Sequence, residues 1–186
     1  MSSLTDNSLM LKVKSGDLDK MGLLFERYHR PLYTFLYHMA GRNDACQDMV
    51  QNVFLRMLKY RHTFTGEGEF KTWMYHLARN VLSDHFKQNK AVGYYDVHEL
   101  ADKLDGGTLA DSEFESRQDA ELIQTALAIL NQEHREVLIL SRFQNLKYAE
   151  IAEILNISEG AVKVRVHRAL GELKKIVLKN NNPRTA

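Results

Sequence analysis

The chain has 186 residues, 44% hydrophobic and 26% charged, with one cysteine and a formal net charge of +1. That size accommodates one domain or two small ones with buried cores. A lone Cys46 excludes an internal disulfide and a cysteine-rich metal site, and no run approaches the ~18 apolar residues of a membrane span.

The opening "MSSLTDNSLMLKVKSGD" lacks the apolar centre of a secretory signal, so the expected location is cytoplasmic, without membrane insertion. Apolar residues then recur at three- and four-residue spacing in nearly every long segment. The spacing predicts helices over 4–15, 20–40, 44–59 and 70–89, then 116–130, 132–143, 147–155 and 158–179. Prolines occur only at Pro31 and Pro183, and "AGRNDA" and "TFTGEGEF" supply turns.

Charge is distributed in blocks. Residues 1–92 carry 13 Lys/Arg and 9 Asp/Glu, residues 93–121 carry 2 and 9, and residues 122–186 carry 10 and 6. The acidic middle contains Gly106-Gly107 and no sustained helical stripe, which reads as a linker. The prediction is all-α: two small helical domains joined by a flexible acidic linker, the second a helix-turn-helix domain. Its boundaries are 1–92, linker 93–117, 118–180 and a tail 181–186.

On the helix at 44–59, Cys46, Val50, Val53, Phe54, Met57 and Leu58 form the apolar stripe. Asp48, Gln51, Asn52, Leu55, Arg56 and Lys59 take the far face. Leu55 is thus an apolar centre within a polar rim, the pattern of a partner contact or simply of one exposed leucine. In "FKTWMYHLARNVLSDHFK" the buried sector is Phe70, Met74, Leu77, Ala78, Val81 and Leu82. Trp73, His76, Asn80, Ser83 and Lys87 share the polar side. Aromatic, amide and basic groups together suit stacking and hydrogen bonding to unpaired bases, and the alternative is a tryptophan covering the edge of the core.

"AVKVRVH" alternates like a strand, yet as a helix Val162, Val166, Ala169, Leu170, Leu173, Ile176 and Val177 make one continuous stripe. The helix reading wins on length, and Ser158 is a suitable N-cap. Lys163, Val164, His167 and Arg168 then face outward, with Val164 stranded among cations. In "YAEIAEILNISEGAVKV", Ala152 allows close helix packing, Asn156 suits a left-handed turn, and Ile151, Leu155, Ile157 and Val162 seal the hairpin. A basic face on the second helix of such a hairpin fits the major groove.

At these residues the sequence resembles a family. "DMVQNVFLRMLKY", "FTGEGEFKTWMYHLARN" and "LKYAEIAEILNISEGAVKVRVHRALGELKK" stand in the order found in bacterial sigma factors of the extracytoplasmic-function (ECF) group. The resemblance implies sigma regions 2 and 4 and a promoter-specificity subunit of RNA polymerase that opens DNA without catalysis. It implies that Asp48, Gln51, Asn52, Leu55 and Arg56 meet the β′ clamp helices, although Asn52 stands where the family often has glutamate. Trp73, His76, Asn80, Ser83 and Lys87, with the loop 63–69, would open the minus-ten element and capture a flipped base. Ser158, Lys163, Val164, Arg165, His167 and Arg168 would lie at the minus-thirty-five element. The implied partners are core polymerase, through its β′ clamp helices and β flap, promoter DNA and an anti-sigma factor.

Two other classes compete. A LuxR-type transcription factor has a similar hairpin, but that reading leaves the tryptophan-containing amino-terminal motif unexplained, and a receiver domain needs alternating strands. An enzyme reading has no support from the eight histidines, which show no compact metal-ligand spacing, so no catalytic residue, cofactor or metal is expected.

Overall fold

Thr5 starts the first helix: its backbone is extended and its hydroxyl accepts the Ser8 amide, satisfying one of the free donors of the first turn. The computed structural model describes residues 4–41, 44–91 and 111–180. The first four helices are α1 (Asp6–Lys14), α2 (Lys20–Ala40), α3 (Cys46–Lys59) and α4 (Phe70–Ala91), with a 3-10 turn at Arg61–Thr63 before α4. Helix α2 runs through Pro31 and buries Met21, Leu24, Tyr28, Leu32, Phe35, Leu36 and Met39, the stripe of a helix facing one core. Against it α1 contributes Leu9, Met10 and Val13, α3 contributes Cys46, Met49, Val50, Val53, Phe54 and Met57, and α4 contributes its predicted sector plus Tyr75.

The second half comprises α5 (Asp111–Ile129), α6 (Gln132–Leu138), α7 (Tyr148–Leu155) and α8 (Glu159–Asn180). Helix α5 begins inside the segment assigned to the linker, in a stretch with no glycine or proline between Gly107 and the helix end at Ile129. The rest of that segment, 93–110, and the tail 181–186 lie outside the described residues. The predicted single helix 132–143 divides: the α-helical pattern ends at Leu138 and a π-helical turn covers Ile139–Phe143, with the Gln144 amide bonded to the Ile139 carbonyl at 3.1 Å. Val137, Leu138, Ile139 and Leu140 are all buried in succession. Four successive buried apolar residues give this one turn contacts on every side, and it lies between the core of its own half and α2.

The two halves share one apolar cluster. Arg135 ties its edges: it donates to the carbonyls of Leu127, Ala128 and Leu130 at the end of α5, and to Met39 at the end of α2, at 2.7–3.1 Å. A cation across two helix carboxyl ends meets orphan carbonyls and the negative end of each dipole together. Tyr75 adds a hydrogen bond to the Gln144 carboxamide oxygen at 2.7 Å.

Candidate nucleic-acid and partner interfaces

The carboxy-terminal hairpin is positioned by its turn. Asn156 adopts φ 54° and ψ 49°, the left-handed conformation expected of it, and the Ile157 amide closes back on the Ala152 carbonyl at 3.0 Å. The Ser158 hydroxyl accepts the Ala161 amide at 3.1 Å, which starts α8. With that phase set, Val162, Val166 and Ala169 are buried, and Lys163, Val164, His167 and Arg168 are exposed, Val164 by 51%. Arg165 stands apart from them: it is half-buried and reaches Glu133 of α6 at 3.3 Å. Three cations or imidazoles and one apolar side chain therefore share an open helix face.

On α3, Asp48, Gln51, Asn52 and Leu55 are exposed along one side, Leu55 by 64%. Arg56 borders them but is engaged, donating to Asn52 at 3.1 Å and to the Asp84 carboxylate on α4 at 2.7 Å. That hydrogen bond, with the guanidinium charge, holds the Asp84 carboxyl below its ordinary value. The result is a polar face with one apolar centre, bordered by an α3–α4 bridge at its edge.

On α4, His76, Asn80, Ser83 and Lys87 are exposed and Trp73 is half-buried. The indole covers the edge of the core, as the packing alternative expects. It packs against Phe64 and Phe70, with ring centroids at 5.3 and 6.3 Å, and its Nε1–H donates to the Thr63 hydroxyl at 3.1 Å. Trp73 thereby joins the helix to the loop that precedes it. Asn80, Ser83, Lys87 and Lys90 line a cleft of 440 Å³ whose far wall is Gln132 and Glu136 of α6. His76 lies towards Glu153 of α7; partial desolvation, then the neighbouring Arg79 charge, holds its imidazole below the ordinary value.

Residues 24–92 match Sigma-70 region 2 and residues 120–173 match Sigma-70, region 4. The ECF RNA polymerase sigma factor SigX of Bacillus subtilis is 33% identical over 158 residues, covering 82% of this chain and 81% of SigX. The chain belongs to the ECF group of RNA polymerase sigma factors. Its function is that of a sigma factor, to direct RNA polymerase to promoters. The ECF sigma factor BldN of Streptomyces coelicolor is 30% identical over 171 residues, and the match spans 91% of this chain and 64% of BldN. Among solved structures, CnrH in complex with the cytosolic domain of CnrY has the same fold, with a TM-score of 0.71 at 20% identity over 95% of this chain and 98% of that one. No helix among the described residues is long and apolar enough to cross a membrane.

The region 2 match covers the amino-terminal block that a LuxR-type reading leaves unexplained. Within this sigma factor, sequence reasoning missed the residues that join its halves, Tyr75, Arg79 and Arg135, and it gave the helix at 4–15 no role at all. Arg79 sits between the buried Ala78 and the exposed Asn80, a border position whose length and charge let it serve either side. Helix α1 lies wholly before the region 2 match, yet it touches the loop ahead of α4.

Proposed function

We propose that this sigma factor binds core polymerase through the exposed α3 face, reads the minus-thirty-five element with α8, and opens the minus-ten element with α4 and the loop before it. The observation that carries this reading is the pairing of two separate open faces: a helix-turn-helix face with Lys163, Val164, His167 and Arg168, and a tryptophan-anchored loop beside Asn80, Ser83 and Lys87. A face of cations with one apolar side chain meets phosphates and a base edge in duplex DNA. An aromatic and amides beside an ordered loop meet bases that have left the stack.

Asp48, Gln51, Asn52 and Leu55 serve the β′ clamp helices, with Arg56 supporting the face through Asn52 and Asp84. The second half meets the β flap. Of the residues assigned to the minus-thirty-five element, Ser158 acts as the helix cap and Arg165 braces α6, which leaves Lys163, Val164, His167 and Arg168 for DNA. No catalytic chemistry is involved: melting is driven by binding energy, and the protein works in the cytoplasm. An anti-sigma factor is the further partner; RpoE of Bartonella quintana, whose structure was solved with the anti-sigma factor NepR, shares this fold at a TM-score of 0.66.

The experiment is promoter-directed transcription reconstituted from purified core polymerase and the full chain. The proposal expects specific initiation and thymine reactivity to permanganate around minus ten. Duplex binding without any association with core polymerase would overturn it.

A further inference from the structure

Helix α1 holds the loop before α4 by its backbone, at every second residue. The Lys14 ammonium donates to the Phe64 carbonyl at 2.6 Å. The Asn7 carboxamide donates to the carbonyls of Gly66, at 3.4 Å, and Gly68, at 2.9 Å, and accepts the Phe70 amide at 2.8 Å. Leu11 lies against Gly66, where an added Cβ would stand 3.1 Å from its side chain, and Gly66 has φ +82°, a conformation suited to glycine. The even-numbered residues 64, 66, 68 and 70 thus turn towards α1. Thr63, Thr65, Glu67 and Glu69, the odd-numbered ones, are exposed.

We propose that Asn7 is a positioning residue for promoter-base recognition: its three hydrogen bonds fix the loop so that Thr65 and Glu67 are presented to an unpaired minus-ten base beside Trp73. The inference rests on the reading that this loop captures a base, and it adds to that reading a part of the chain outside the region 2 match. The physical case is one of anchoring. The bonds pin the peptide carbonyls of Gly66 and Gly68 on either side of Glu67, and the positive φ of Gly66 bends the chain there, so the pinned peptides set the direction in which Thr65 and Glu67 leave the backbone. Only an uncharged carboxamide can donate to two carbonyls and accept an amide from one side chain; aspartate keeps the acceptor and loses both donors. The Thr65 hydroxyl, accepting the Glu67 amide at 3.3 Å, and the Trp73–Thr63 bond complete the loop without reaching Gly66 or Gly68.

The test uses holoenzyme assembled from core polymerase and the full chain, with fork-junction DNA randomised in the unpaired minus-ten segment and sequenced after capture. Asn7→Ala and Asn7→Asp are expected to reduce enrichment of the preferred base about five- to tenfold, the discrimination carried by one good base contact, with affinity for core polymerase unchanged. Amide hydrogen exchange in the free chain is expected to rise over residues 64–70 and to stay unchanged in α2 and α3, a readout independent of DNA. Undiminished discrimination by both variants, while Glu67→Ala abolishes it, would overturn the role of Asn7 alone. Full discrimination by Glu67→Ala and Thr65→Ala would remove base capture by the loop, and Asn7's role with it.

Discussion

Arg79 of α4 and Glu136 of α6 form a two-armed ion pair across the halves of the molecule, Nε to Oε1 at 2.7 Å and Nη2 to Oε2 at 3.4 Å. Glu136 is only 6% exposed, and the third arm of Arg79 donates to the Ile154 carbonyl near the end of α7 at 3.0 Å. Elements named for minus ten and minus thirty-five lie about 25 base pairs apart, roughly 85 Å of duplex at ~3.4 Å per step. Two small domains packed side by side do not span that distance, so under the proposed reading, with one half at each element, the halves part for both to be read.

Arg79→Ala is therefore expected to loosen the packed form. It strands a buried carboxylate and frees a helix-end carbonyl, a cost of about 1–3 kcal/mol. Small-angle scattering should show a larger radius of gyration than the parent, and urea unfolding a lower midpoint. Adding Glu136→Leu removes the stranded charge and is expected to restore part of the stability.

His38 gives the same junction a pH dependence. Its ring lies 4.3 Å from Phe143, and Nδ1 donates to the Gln124 carboxamide oxygen at 2.5 Å. Burial pushes the imidazole below its ordinary value of 6.5, against the opposing effect of that hydrogen bond. A histidine depressed in the folded state binds fewer protons there than when unfolded, so its contribution is complete above pH 6.5 and is lost as pH falls through the folded value. His76 shifts in the same direction and adds to the trend. Unfolding free energy should fall between pH 7.5 and 5.5 in the parent and fall less in His38→Gln.

Leu55 tests the α3 face. As the exposed centre of a polar rim it adds little to folding, and Leu55→Asp should change stability by no more than about 0.5 kcal/mol. A centre that anchors a partner is expected to lose at least about tenfold in affinity when made acidic. Titration of labelled core polymerase with the two chains measures the difference.

The helical stripes were legible because burial on one face imposes a period that sequence carries directly, and the three valines of "AVKVRVH" divide as that period requires. Met49 and Tyr75 were not assigned to the core. Tyr75 points towards the other half of the molecule, and a stripe drawn for one domain has no place for it. The π-helical turn was hidden for a similar reason: "VLIL" reads as an ordinary apolar run until two layers press on it. Least legible was Asn7. A polar residue in a first helical turn is unremarkable locally, and its three bonds go to residues about sixty positions away, where no periodicity connects them.

Trp73 has a structural part and a proposed functional one, and two substitutions separate them. Trp73→Ala removes the contacts with Phe64 and Phe70 and the bond to Thr63. Because the ring is only half-buried, the cost should lie below the ~3 kcal/mol of a fully buried aromatic. Trp73→Phe retains most of the packing and loses the hydrogen bond and part of the stacking surface. Melting, read as permanganate reactivity of minus-ten thymines, is expected to fall steeply for alanine and partly for phenylalanine, with core binding preserved in both.

Val164 supplies the last contrast, between reading a base and holding a phosphate. It is the only valine of "AVKVRVH" turned to solvent, at 51% exposure, and it is flanked on its face by Lys163, His167 and Arg168. A valine among cations on a groove-facing helix suits a thymine methyl, an apolar contact that carries sequence information, whereas the cations carry affinity. Val164→Ala should reduce preference at one minus-thirty-five position by about fourfold, the value of one buried methyl group, and leave the salt dependence of holoenzyme binding unchanged. Lys163→Ala should do the reverse, weakening all sequences alike and lowering the salt slope by about 1. Measuring both variants on a set of promoters at several salt concentrations tells the two contributions apart, since a purely electrostatic face would give Val164→Ala no sequence-specific effect at all.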